Sequence, residues 1–192
     1  MTANSEKRTR VVTKLGDAGE TQLGKGRVLK SALRVETYGS VDEANSVIGV
    51  LRAAAPDDVR LNGWLRSIQG DLFDIGADLS MPGDVGAGLR FKPEPVKRLE
   101  VQLDELNEAQ PRLANFVLPT GVGLAGAYAH LARTVVRRAE RRVVALKQVE
   151  GEEVNPEIPR YLNRLADFLF IVARYFNDNG AGDDVWAPRG QR

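Results

Sequence analysis

The chain has 192 residues, with 27 Lys or Arg against 26 Asp or Glu and a formal net charge of +1. With 43% hydrophobic and 28% charged residues, that length suits one globular domain with a core of its own. Near-neutral charge argues against a broad nucleic-acid or anionic-membrane footprint, and the absence of cysteine excludes disulfides, thiolate metal sites and cysteine nucleophiles. The opening MTANSEKRTRVV carries charge but no apolar core, so no signal peptide is expected. No run of about 20 apolar residues predicts a membrane span. The expectation is a single cytoplasmic domain over 1–192, with an N-terminal loop (1–34), a helical bundle (35–178) and a flexible tail (179–192).

The first segment to show organisation is TKLGDAGETQLGKGRVLKS, Thr13 to Ser31. It has the composition of a phosphate cradle. Glycine at 16 and 19 lets backbone N–H groups approach a ligand closely, Thr13 and Thr21 carry hydroxyls, and Lys14 and Lys30 bracket the stretch. It is not a P-loop, because Gly26 follows Lys25 where Ser or Thr is required, and no GxGxxG precedes a helix.

Helical periodicity then takes over. Val41, Ala44, Ile48 and Leu51 recur at three- and four-residue steps and predict an amphipathic helix. Pro56–Asp58 suits a helix start, and Val59, Leu65, Ile68, Leu72, Ile75 and Leu79 carry a second stripe to Met81-Pro82-Gly83. A loop is expected over Gly83–Phe91. The third helix carries Val96, Leu99, Leu103 and Leu106, and ANFVLPTGVG follows as an irregular connector broken by Pro119 and Gly121. A long fourth helix is predicted from Leu124 to Val149 and a fifth from Glu157 to Asn177, followed by the glycine-rich tail with Trp186. Strand alternation is weak throughout. The expected fold class is all-α, a five-helix bundle behind a long Gly-rich loop.

On a wheel of roughly 100° per residue, the fourth helix places Leu131, Ala132, Val135, Val136, Ala139, Val143 and Leu146 on one side as core. Arg133, Arg137 and Glu140 line a strip beside that core; Arg138 and Arg142 fall on the far border, with Arg141 near the middle of the polar face. The bland reading of RRAERR is a solvated face of weak ion pairs. Against it stands the fifth helix, where Asn163, Asp167, Phe170 and Arg174 form a second strip bordering the core. Polar strips on consecutive helices make a cleft. Arginine forks and movable lysines suit a polyphosphate there, with Glu140 and Asn163 available to a sugar or base or to orient the arginines.

His130 is the only histidine, which rules out a multi-histidine metal site and predicts a structural role; no GxSxG elbow is present. No spacing among Asp17, Asp42, Glu43, Asp71, Asp74 and Asp78 singles out an acid–base pair. An enzyme with this inventory works by positioning and charge stabilisation.

Taken together, TKLGDAGETQLGKGRVLK with YGSVDEANSVIG, then FVLPTG, then AHLARTVVRRAERRVV with YLNRLADFLFIVAR resemble the ATP:cob(I)alamin adenosyltransferases of the PduO type. The resemblance spans Thr13 to Arg174. It implies a ferritin-like five-helix bundle, assembled as a homotrimer with ATP at subunit interfaces. The implied reaction moves the 5′-deoxyadenosyl group of ATP onto the Co(I) of reduced cobalamin and releases triphosphate, with Mg²⁺ on the triphosphate and no metal held by protein ligands. A cobalamin reductase and a downstream adenosylcobalamin-dependent enzyme are implied as partners. By matching position, Thr13, Lys14, Gly16, Asp17, Gly19, Thr21 and Lys30 wrap the triphosphate, and Arg137, Glu140, Arg141 and Asn163 contact ATP. Arg133 pairs with Asp42 across subunits. The resemblance further implies that Phe116 packs under the corrin and displaces the lower axial ligand, giving a four-coordinate Co(II); the bland alternative is a core plug.

Ala44 and Ala166 depart from the usual Leu and Ser of the family. The alternative is a catalytically inactive sensor or scaffold of the same fold that binds ATP or cobalamin. A nucleic-acid-binding reading of RRAERR is disfavoured by the interleaved Glu140.

Overall fold

The computed structural model describes residues 12–24, 26–83, 89–113, 115–149 and 153–190. Lys25 of the glycine segment, most of the loop expected after Met81, and the last two residues of the tail lie outside them. Five helices carry the fold: α1 (Leu33–Ala54), α2 (Val59–Leu79), α3 (Glu94–Asn107), α4 (Leu124–Lys147) and α5 (Glu157–Tyr175). α1 packs against α2 and α4, α4 against α5, and α5 against α3. None of these helices is long and apolar enough to cross a membrane.

The core is the set of stripes the periodicity predicts. Val41, Ala44, Ile48 and Leu51 of α1, Leu65, Ile68, Leu72, Ile75 and Leu79 of α2, and Leu162, Leu165, Leu169 and Val172 of α5 are all buried. Leu131 is a correction, exposed on α4 where the wheel assigned it to the core, and Val59 is exposed at the start of α2. Wheel angle does not say whether a neighbouring element covers a residue. α2 begins as its sequence suggests: the Asp58 carboxylate caps the helix by accepting from the Leu61 N–H at 2.9 Å, and it also accepts from the Tyr175 hydroxyl at 2.8 Å.

Two features depart from expectation. The Gly-rich segment is not all loop, because Glu20–Leu23 (β1) and Gly26–Leu29 (β2) pair as an antiparallel hairpin in register Glu20↔Leu29 to Leu23↔Gly26. Each strand is four residues long and largely exposed on both sides, so it leaves no hydrophobic alternation in the sequence. The tail, expected to be flexible from residue 179, is bonded to the bundle as far as Trp186. A short 3₁₀ turn at Asp178–Gly180 reverses the chain, and Val185 then forms a bridge with Val117 of the connector.

Candidate active site

The face of α4 toward α5 and α3 opens a cavity of about 340 Å³, lined by Leu103, Arg133, Arg137, Arg164, Asp167 and Phe170 among others. Of its cations, Arg164 is paired with Glu100 and Asp167, whereas Arg133 and Arg137 are poorly matched among the described residues. The Arg137 guanidinium makes no hydrogen bond or ion pair among the described residues. Arg133 is half-buried, its Nε has no partner, and its guanidinium lies 6.0 Å from the Phe170 ring. Burial lowers the Arg133 pKa first, and the neighbouring Arg137 cation lowers it further. Among the described residues Arg141 donates only to the Arg137 carbonyl, at 3.2 Å. At the next turn, Asn163 Nδ2 donates to Glu140 Oε1 at 3.1 Å, tying α5 to α4 and orienting both polar groups at the edge of the cleft.

His130 sits one turn before Arg133, only 2% exposed, with both ring nitrogens unpartnered and its ring set edge-on to Phe170 at 6.1 Å. Burial lowers its pKa, Arg133 lowers it further, and Asp183 acts in the opposite sense. It is a core histidine, as its sequence context predicts. The buried carboxylates also have structural partners: Asp71 accepts from Arg98 and from the Tyr161 hydroxyl, and Asp78 accepts from Arg90, the Phe91 N–H and Asn155.

The N-terminal segment forms a separate cradle. Gly19 adopts φ 86°, a left-handed conformation that glycine takes without strain, and Lys14 adopts φ 61°. The Lys30 N–H donates to the Gly19 carbonyl at 2.9 Å, and Lys30 Nζ folds against Gly16, where an added Cβ would come within 3.1 Å. Arg27 holds the base of the turn through the Leu15 carbonyl at 2.6 Å and Glu20 at 3.2 Å. Thr13, Lys14, Asp17, Gly19 and Lys30 are exposed, whereas Thr21 is half-buried in β1 opposite Val28. Among the described residues no hydrogen bond or ion pair joins this segment to α4 or α5. One chain therefore holds the two halves of the expected site without joining them.

Asp42 lies on α1, on the opposite side of α4 from Arg133. It is exposed, its carboxylate has no partner among the described residues, and it lines a cavity of about 350 Å³ between α1 and α2 with Tyr38, Phe73 and Gly76. A larger cavity, about 560 Å³, opens between Gly83, Arg90, Lys147 and Asn155. There Arg90 and Asn155 both donate to Asp78, and Lys147 and Glu153 are the other charged residues of the lining.

Phe116 is 79% exposed, so it is not a core plug. Its ring meets Trp186 edge-on at 6.4 Å, and the Trp186 N–H donates to its carbonyl at 2.8 Å. Sequence reasoning left Trp186 without a role; a lone tryptophan in a glycine-rich tail was the one available signal.

Residues 11–176 match the family model described as "Cobalamin adenosyltransferase". The chain belongs to the cobalamin adenosyltransferase family. It is 47% identical to a cobalamin adenosyltransferase of Cupriavidus metallidurans, over 92% of this chain and 93% of that one. It is 44% identical to a corrinoid adenosyltransferase of Mycobacterium tuberculosis, over 96% of each. Among solved structures, it superposes on a phenylalanine-to-alanine variant of a PduO-type ATP:corrinoid adenosyltransferase from Lactobacillus reuteri, complexed with cobalamin and ATP. The TM-score is 0.86 at 35% identity, covering 93% of this chain and 100% of that one. The five-helix architecture read from the sequence is that of the PduO-type adenosyltransferases.

Proposed function

We infer that the protein transfers the 5′-deoxyadenosyl group of ATP to cob(I)alamin, forming adenosylcobalamin and releasing triphosphate. The observation that carries the reading is the cation row of α4, Arg133 and Arg137, which borders a cleft and pairs with no anion among the described residues. In the reaction the Co(I) electron pair attacks the ribose C5′. The C5′–O bond breaks, and its electrons leave on the triphosphate. The protein supplies no nucleophile; it holds the two substrates in line and stabilises the departing charge.

Arg137 and Arg141 lie where a triphosphate would complete them, and the Glu140–Asn163 pair offers a carboxylate oxygen and an amide oxygen to ribose or adenine. The Lys14–Lys30 cradle closes on the phosphates from the other side with lysine charge and turn N–H groups. Mg²⁺ enters on ATP as part of the substrate.

Since loop and cleft are not joined in one chain, we assign the complete site to an interface between copies, in a homotrimer. The unpartnered Arg133 Nε and the unpartnered Asp42 carboxylate would then meet across that interface. Phe116, with Trp186 against it, presents an exposed aromatic wall to the corrin and disfavours a lower axial ligand. We place the enzyme in the cytoplasm, receiving cobalamin from a reductase and supplying an adenosylcobalamin-dependent enzyme.

The test is anaerobic. The protein is mixed with chemically reduced cobalamin and MgATP, and the Co(I) absorbance is followed alongside triphosphate release. Conversion to adenosylcobalamin with matching triphosphate is the expected result. Bound ATP without conversion would instead make the protein a sensor of the same fold.

A further inference from the structure

The wheel placed Arg174 on the polar strip of the cleft, but the structure buries it elsewhere. Its Nε donates to Asp183 Oδ2 at 2.6 Å, and both side chains are only 4% exposed. The same guanidinium donates through Nη2 to the Pro111 carbonyl at 3.0 Å. Beside it, buried Asn177 accepts from the Val122 N–H at 3.0 Å and donates to Asp183 Oδ1 at 3.3 Å. The end of α5 thus grips both ends of the 111–122 connector and the tail at one point. The fit is close: a Cβ at Gly180, which adopts φ 92°, would lie 2.5 Å from Arg174 Nη2.

What this knot holds is the exposed aromatic pair. Above it the Leu118 N–H donates to the Asp184 carbonyl at 2.8 Å, Val117 bridges Val185, and the Trp186 N–H donates to the Phe116 carbonyl. An irregular connector and a glycine-rich tail are costly to order, and Phe116, 79% exposed, is not anchored by burial. A buried ion pair is a weak source of net stability but is strongly disruptive when one partner is removed. That profile suits a device that selects one conformation.

We propose that Arg174 and Asp183 are positioning residues, whose ion pair clasps the tail to the 111–122 connector and so fixes the Phe116–Trp186 wall for the corrin. The proposal rests on the reading of Phe116 as the residue that meets cobalamin. It adds two residues that touch neither substrate, and it gives the tail a part in the reaction.

The experiment compares wild type, Asp183→Asn and Phe116→Ala, with Arg174→Lys as the second clasp variant should the first fail to fold. Amide exchange of Leu118 and Trp186 is measured without substrate. The fraction of four-coordinate Co(II) is measured spectroscopically with cob(II)alamin and MgATP, and ATP affinity by calorimetry. In Asp183→Asn the two amides are expected to exchange about tenfold faster, and the four-coordinate fraction to fall about twofold or more. ATP affinity is expected to stay at the wild-type value, a separation that general loss of structure would not give. Unchanged protection of both amides overturns the clasp itself. Faster exchange with a wild-type four-coordinate fraction, while Phe116→Ala loses that signal, overturns the positioning role. A Phe116→Ala variant with the full signal removes the reading of Phe116, and the positioning role falls with it, although released amides would still show the clasp.

Discussion

The two edges of α4 carry similar residues and have opposite fates. On the edge toward α1, Arg138 pairs with Glu43 and Arg142 with Glu36, the latter at 3.3 Å, so its cations have anions within the chain. On the edge toward α5, Arg133 and Arg137 have none among the described residues, and Arg133 is further disfavoured by burial and by its neighbour. Composition does not separate these edges. What separates them is where the facing carboxylates are engaged: Glu36 and Glu43 of α1 reach the arginines of α4, whereas Asp167 of α5 is held by Arg164 of its own helix, and the cations left over mark where a ligand or a second chain belongs.

The largest expected effect is on the unmatched edge. Arg137→Ala should lower kcat by about 10²–10³-fold, the usual cost of deleting one stabiliser of transition-state charge, while sedimentation shows the oligomer unchanged. Near-normal turnover would detach Arg137 from the triphosphate. Next, Asp42→Asn should reduce activity about tenfold and weaken the oligomer, because it leaves the Arg133 charge without its proposed partner. An unaffected enzyme and an unaffected sedimentation profile would place that partner elsewhere.

A smaller effect follows from His130, on the same helix. Its folded-state pKa is lowered, so between that value and the unfolded 6.5 the unfolded chain binds more protons. Stability is therefore full above 6.5 and declines as the pH falls toward the folded value. Melting temperatures across that window should drop with acid, and His130→Phe should flatten its share of the slope; an unchanged slope would mean that the imidazole titrates normally. The smallest effect belongs to the matched edge. Arg138→Ala and Arg142→Ala should each cost about 0.2–1 kcal/mol by denaturant unfolding and leave turnover alone, as exposed pairs do. Loss of activity in either would erase the distinction between the edges.

Much of this was legible in the sequence because helical periodicity encodes direction. The wheel put Arg133 and Arg137 on one border of α4 and Arg138 and Arg142 on the other, as they are found. It encodes angle but not cover, which is why Leu131 was counted as core and Arg174 as cleft. Arg174 is buried because the chain turns back over the end of α5 through Asp178, Asn179 and Gly180, all at positive φ. A turn that returns a carboxylate to its own helix nine positions on leaves no periodic trace. The hairpin escaped for a related reason, since two exposed four-residue strands impose no burial pattern. The exposure of Phe116 depends on what lies above a connector, which local composition does not record.

The separation of cradle and cleft within one chain has a genetic consequence under the proposed assembly. A closed ring of identical chains has one interface per chain, each uniting the cradle of one with the cleft of the next. A chain carrying Lys14→Ala and a chain carrying Arg137→Ala would each form rings with every site defective. Co-assembled, they would create junctions where the sound cradle of one meets the sound cleft of the other. Two inactive alleles would thus restore activity by mixing, whereas the same two substitutions on one chain, mixed with nothing, would not.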